Sequence, residues 1–338
     1  MSSDGALFPP WLVPAKVYPP VPRVDVLIRR GLELKLNEGL SRQATILRAP
    51  AGYGKSTLLS SWLQHLPCEA AACCWLALDE DDDDERQLLV YLAFSLYQAG
   101  VLRLGEDDGV TLQGEVVPRQ ILTLIQRSIE ALSEPVLLIL DDFEQLSGST
   151  VRSVIQRLLR YAPENLHLFV ATRDDSALDV SRLEVEGAVL RVDAAALQFT
   201  LPEIRELFAD QLPAGVIEDI YRRTGGWPVV VQMLRSALSS ERDHDRLLQE
   251  LDSDAATLSA YLAHQILDGL APADQQFLMS LSPLERVDCV MADFVREATD
   301  SLARVHQLKH LHCLIRSISS PGETVELHPL LRDHLYRR

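Results

Sequence analysis

At 338 residues the chain is too long for one compact core, and its 32 Lys and Arg against 49 Asp and Glu leave a formal charge of −17. That balance repels phosphate backbones, and the closing Arg337-Arg338 is too short a basic run to support unaided nucleic-acid binding. Cys68, Cys73, Cys74, Cys289 and Cys313 show no paired spacing, which argues against a disulfide framework or a zinc ribbon. Residues Leu7 to Pro22 are apolar and proline-rich rather than a charged start before an apolar run, and no stretch reaches membrane-span length. A soluble cytoplasmic protein is expected.

In chain order, the prolines between 9 and 22 predict an extended lead-in over residues 1–22 rather than an element. Leu27, Ile28, Leu32 and Leu36 suit a short amphipathic helix from Asp25 to Glu38. Apolar strands then alternate with helices. The strands are Ala44 to Leu47, Ala72 to Leu78, Val136 to Leu140, His167 to Ala171 and Val189 to Val192. The helices are Lys55 to Leu66, Glu85 to Gln98, Arg119 to Leu132 and Val151 to Tyr161. Short continuous apolar strands between helices predict a parallel sheet covered on both faces. Beyond it, Thr200 and Glu203 form a capping box, and helical patterns run to Leu238 and from Asp254 to Leu270. A helix from Leu302 to Leu311 precedes two strands, Cys313 to Ile318 and Thr324 to Leu327, joined by Ser320-Pro321-Gly322. That order is compatible with a winged helix.

The loop Ala49-Pro50-Ala51-Gly52-Tyr53-Gly54-Lys55-Ser56-Thr57 joins a predicted strand to a predicted helix. Successive backbone N–H groups at a helix N-terminus form an anion site, and Gly52 and Gly54 permit the close backbone that phosphates need. Lys55 would meet the β- and γ-phosphates, and Ser56 would offer its hydroxyl to Mg²⁺. Ala49 stands where the strict pattern has glycine. Asp141-Asp142 leave a buried strand: Asp141 would hold Mg²⁺ through its water shell and Asp142 would polarise an attacking water. Arg173, directly after the next strand, can reach a γ-phosphate, or pair on the surface with Asp174 or Asp175. Asp79 to Glu85, seven consecutive acids, reads as a solvated loop favouring the following helix N-terminus. His306 and His310, with His312 and Cys313 close by, lack carboxylate support for a metal site.

Together these segments resemble the MalT-like large ATP-binding regulators of the LuxR family. Ala49 to Thr57 is similar to their phosphate loop, and Trp75-Leu76-Ala77-Leu78-Asp79-Glu80-Asp81-Asp82-Asp83 to their WLxLDExDND segment. Leu140-Asp141-Asp142-Phe143 resembles their LDDYH motif, with Phe143-Glu144 departing from Tyr-His. Thr172-Arg173 matches their (S/T)R pair, Leu197 to Glu203 their LxFTxxE, and Thr224-Gly225-Gly226-Trp227-Pro228 their TEGWP turn.

The resemblance places the chain in the STAND class of signal-transduction ATPases. It implies a P-loop nucleotide-binding domain (23–198), a helical domain (199–260) and a winged-helix domain (261–338), an α/β fold with all-helical and winged-helix additions. It further implies that Pro228 lines an adenine pocket, that Leu27 and Arg29 close over the base, and that His328 touches the ADP β-phosphate. Ala51, Gly52, Tyr53, Gly54, Lys55, Ser56 and Thr57 would surround the phosphates. The implied function is a switch: ATP with Mg²⁺ favours a self-associating state, and slow hydrolysis to ADP, through Lys55, Asp142 and Arg173, resets it. Family members continue into an inducer sensor and a promoter-binding helix-turn-helix. This chain ends at Arg338 with neither, so a shortened form of a longer protein is expected. The alternatives are an enzyme proper, a kinase or motor-type ATPase, and a nucleotide-holding module that never hydrolyses. Nothing in residues 196–338 resembles an acceptor site.

Overall fold

The computed structural model describes residues 7–20, 27–67, 71–104, 112, 117–174, 178–209, 212–240, 270–284, 286–308, 315–318, 324–327, 332 and 335. It divides into two compact units, Met1–Ala49 with Lys55–Ala196, and Pro50–Gly54 with Leu197–Arg338. The expected helix over Asp254 to Leu270 falls almost wholly outside the described residues.

The first unit is built on five parallel strands: β1 Ala44–Arg48, β2 Ala72–Ala77, β3 Val136–Asp141, β4 Leu166–Thr172 and β5 Val189–Asp193. Their spatial order is β2-β3-β4-β1-β5. Every residue of β3 and β4 is buried, which explains their mostly apolar sequences, while the edge strands β2 and β5 are only partly buried. The helices are α1 Arg30–Glu38, α2 Lys55–His65, α3 Glu85–Gln98, α4 Pro118–Glu130, α5 Ser149–Arg160 and α6 Ser181–Val185, with a single turn, α7 Ala194–Leu197, after β5. Because β1 connects leftward to β2 and later connections run rightward, right-handed crossovers put α2 on one face and α3 to α5 on the other. Trp62 of α2 accordingly stacks on Phe169 of β4, with ring centroids 4.9 Å apart. The alternate residues Leu168 and Val170 join the core under α3, α4 and α5. In α4 the buried Ile121, Leu122, Ile125 and Ile129 form the stripe that its spacing predicts.

Two expectations for this unit are corrected. The lead-in is not merely extended: Pro14–Val17 forms a 3-10 turn, and Phe8 and Val17 are buried. Phe8 packs edge-on against Phe94 of α3, Trp11 against Tyr91, and the Tyr91 hydroxyl accepts a bond from the Val13 N–H at 3.1 Å. This covering explains why every residue of α3 from Leu88 to Leu96 is buried. Nor is the acid run a simple solvated loop. Asp82 is fully buried, and the ammonium of Lys16 lies 2.5 Å from it and 2.8 Å from Asp79. A buried carboxylate requires a partner, and the lead-in supplies one. Asp84 caps α3 through the Gln87 N–H, and Asp83 accepts from the N–H of Gly148 ahead of α5.

The second unit begins with α8 Leu201–Leu207, α9 Ala214–Thr224 and α10 Pro228–Ser240. The capping box at Thr200 and Glu203 forms as expected. There follow α11 Pro272–Leu281, β6 Arg286–Asp288, α12 Cys289–Arg296, α13 Ser301–Gln307 and the strands β7 Ile315–Ile318 and β8 Thr324–Leu327. The three strands form an antiparallel sheet in the order β6-β8-β7. Helix, strand, two helices and hairpin is the winged-helix order; the sequence reading misses α11, α12 and the three-residue strand β6. Among the described residues no helix is long and apolar enough to cross a membrane.

Candidate functional site

Open parallel sheets place ligands beyond the carboxyl ends of their strands, where connections diverge. In the first unit that crevice lies at β1 and β4, whose ends pair as Arg48 with Thr172 and whose register continues through the Ala49 N–H to the Thr172 carbonyl at 3.2 Å. Three segments emerge there side by side: Ala49 and the start of α2 after β1, Asp141-Asp142 at the end of β3, and Arg173 after β4.

Lys55 opens α2 with its side chain buried, 7% exposed, and its ammonium donates to the Ala49 carbonyl at 2.7 Å. Burial lowers its pKa, and Arg173 adds to this, against the pull of Glu144, Asp142 and Asp141. Asp141 is buried, and its pKa rises to about 6. Desolvation is the main cause and repulsion from Asp142 the next, opposed by a hydrogen bond from Ser56 and the charge of Lys55. The Asp142 backbone sits in the left-handed region at φ 55°, and its N–H faces Asp141 Oδ1 at 3.2 Å. Such a conformation in a non-glycine residue costs about 1–3 kcal/mol and clusters at functional sites. Burial and Glu144 also raise the Asp142 pKa.

Arg173 meets Glu144, a partner that the sequence reading did not weigh. Its Nε stands 2.8 Å from Glu144 Oε1, and its backbone N–H donates to Glu144 Oε2 at 3.0 Å. The closer contact is an ion pair by distance yet misses hydrogen-bond alignment, so Glu144 Oε1 and Arg173 Nε both lack a hydrogen bond. Glu144 stands on the 3-10 turn Phe143–Gln145, anchored by the fully buried Phe143. Sequence reasoning noted it only as a departure from a motif; its signal was a carboxylate two residues beyond Asp142.

The Ser56 hydroxyl and the Asp141 carboxylate are hard oxygen donors of the kind Mg²⁺ takes, and that ion ordinarily keeps several waters. The raised pKa of Asp141 fits this role: its ionised form is under-compensated by the protein alone, and a divalent cation would correct that. Among the described residues no group of three or more His, Cys, Asp or Glu could hold a metal ion.

The tip of the loop, Pro50–Gly54, groups with the second unit. Gly52 and Gly54 both take φ 77°, the left-handed conformation expected of them. The Gly52 carbonyl accepts the Val229 N–H at 3.0 Å, and a Cβ on Gly52 would come within 2.5 Å of Val229 Cγ1. Tyr53 is buried with its ring 6.0 Å from that of Trp227, whose indole N–H is buried without a hydrogen bond. Pro228 is buried at the first position of α10. Ala51 is half-buried and Thr57 exposed.

Of the sequence-predicted residues, the first unit therefore brings together Lys55, Ser56, Asp141, Asp142 and Arg173. Arg29 precedes α1 and donates to the Ala196 carbonyl at 3.4 Å, with Leu27 half-buried two residues before it. His328, His310, His312 and Cys313 lie outside the described residues.

Comparison with known proteins adds the following. Residues 263–338 match the MalT winged helix domain family. The chain is 28% identical over 332 residues to the serine/threonine-protein kinase PknK of Mycobacterium tuberculosis, covering 96% of this chain and 30% of that protein. It is 25% identical over 337 residues to the HTH-type transcriptional regulator MalT of Klebsiella pneumoniae, covering 97% of this chain and 37% of that one. The chain thus spans about a third of the length of the curated relatives it matches. The Walker-type ATPase PABY2304 of Pyrococcus abyssi has a TM-score of 0.67 at 15% identity, covering 94% of this chain and 98% of that chain. The fold is α/β, of the P-loop NTPase kind with a winged-helix part, and the chain is similar to the N-terminal part of MalT-like regulators along nearly its whole length.

Proposed function

We propose that this chain binds ATP with Mg²⁺ and hydrolyses it slowly, as the switch module of a MalT-like transcriptional regulator whose self-association follows its nucleotide state. The observation that carries the reading is the gathering of Lys55, Ser56, Asp141, Asp142 and Arg173 beyond the ends of β1, β3 and β4. In this reading the glycine loop and the N-terminus of α2 receive the phosphates through backbone N–H groups. Lys55 neutralises charge on the β- and γ-phosphates, and Arg173 detects the γ-phosphate. Ser56 and Asp141 hold Mg²⁺, which supplies charge compensation on the phosphates. Asp142 orients the attacking water and takes its proton, a role that its raised pKa favours.

A switch rather than a metabolic turnover is supported by the likeness to MalT-like regulators. Moving a two-state equilibrium from mostly resting to mostly active takes ~5.5 kcal/mol of differential binding. One γ-phosphate contact falls short of that, so inducer and self-association would share the work.

The test is to extract the protein under native conditions, denature it and identify the released nucleotide, then measure turnover of the wild type and Asp142→Asn. Retained ADP, slow turnover, and an Asn variant that keeps ATP while losing at least about a hundredfold in rate support the switch. A protein that neither carries nor binds adenine nucleotide sinks it. Turnover at the rate of a metabolic enzyme would favour an enzyme proper, and an Asn variant with no effect a module that only holds nucleotide.

A further inference from the structure

Glu144 has no part in the roles above, yet both of its carboxylate oxygens are turned to Arg173. One accepts the Arg173 backbone N–H at 3.0 Å and the other lies 2.8 Å from Nε without hydrogen-bond alignment. The Glu144 side chain is 16% exposed and that of Arg173 39%. A mostly buried carboxylate thus holds a guanidinium in a contact that leaves an atom of each unsatisfied. Such a pair yields readily to a partner of better geometry, and a phosphate oxygen is one.

We propose that Glu144 is the resting counter-ion of Arg173, and that it sets the preference of the site between nucleoside triphosphate and diphosphate. The inference rests on the nucleotide reading above. A triphosphate must take Arg173 from Glu144; a diphosphate leaves the pair as it is. Glu144 therefore weakens ATP selectively and biases the protein toward its ADP-bound state. Phe143 fixes the turn, so the carboxylate stays in place while the arginine changes partner.

The test is calorimetric titration of the chain with Mg-ADP and with the slowly hydrolysed Mg-ATPγS, for wild type and Glu144→Gln. The variant should bind ATPγS about tenfold tighter and ADP within about twofold of wild type, a shift of about 1.4 kcal/mol in preference. Glu144→His, the residue that the resembled motif carries at this place, should move the preference the same way and serves where the Gln variant folds poorly. In an Arg173→Gln background the effect of Glu144→Gln should vanish, since the two residues act as a pair. An unchanged preference, an equal change for both nucleotides, or an effect that survives without Arg173 overturns the counter-ion role. Wild type that binds neither nucleotide overturns the nucleotide reading itself, whereas wild type that binds both with an unmoved variant overturns only the role of Glu144.

Discussion

In the first unit the charges beyond β1, β3 and β4, with Lys55 and Asp141 buried among them, are poorly matched, whereas in the second unit a comparable set on α11 to α13 is closed. There Arg304 bridges Asp300 at 2.6 Å and Asp274 at 2.9 Å, while Arg296 reaches Asp300 at 2.9 Å and lies over the Phe277 ring. The acids record the difference. Desolvation works against ionised Asp300, but Arg304 and Arg296 outweigh it and its pKa falls. Desolvation also works against Asp141, nothing outweighs it, and its pKa rises. A charge cluster that satisfies itself holds structure, and one that stays short of partners is prepared for a ligand.

The largest effect expected bears on what else the second unit depends upon. Gly226 has φ 72°, and a Cβ there would meet the Phe199 carbonyl oxygen at 2.1 Å. Gly226→Ala should cost about 3 kcal/mol in urea denaturation. A loss under about 1 kcal/mol would mean that this backbone approach relaxes freely and carries little of the stability.

Asp141→Asn tests the open cluster directly. The folded pKa of Asp141, about 6, lies above the usual carboxylate value of about 3.9. Its contribution to stability is therefore complete below pH ~3.9 and is lost as pH rises through ~6. Asparagine imitates the neutral form, so the ligand-free variant should be more stable than wild type near neutral pH by about 2 kcal/mol, with the gain fading toward pH 4. Destabilisation at neutral pH would show that the carboxylate is already well compensated.

The smallest effect belongs to the closed cluster. Arg304→Ala should lower the melting temperature less than the glycine change does, and the difference should shrink as salt is added. A salt-independent loss larger than that of Gly226→Ala would reverse the comparison.

What the sequence made legible is whatever is encoded over short spans. The five strands are continuous apolar runs, the glycine loop and Asp141-Asp142 sit at strand ends, and the Thr200 cap is a four-residue pattern. What escaped depends on pairs distant in sequence. Asp82 reads as one acid among seven until Lys16 arrives from the lead-in. Glu144 reads as a motif mismatch until β4 brings Arg173 beside it. Strand β6, at three residues, is too short to show alternation, and its pairing with β8 is what defines it. Proline content misled for a physical reason: proline excludes regular helix, but it does not prevent burial of the Phe8 and Val17 side chains nearby.

That last point reaches the bench. Anyone trimming the chain by composition would begin it at α1 and discard Phe8, Trp11 and Lys16 as a tail. They lie against the aromatic side chains of α3. Such a cut would bare Tyr91 and Phe94 and leave the buried Asp82 carboxylate without its cation. Poor yield or precipitation of the shortened protein would then say nothing about its nucleotide chemistry, only that its first twenty residues had been taken for packaging.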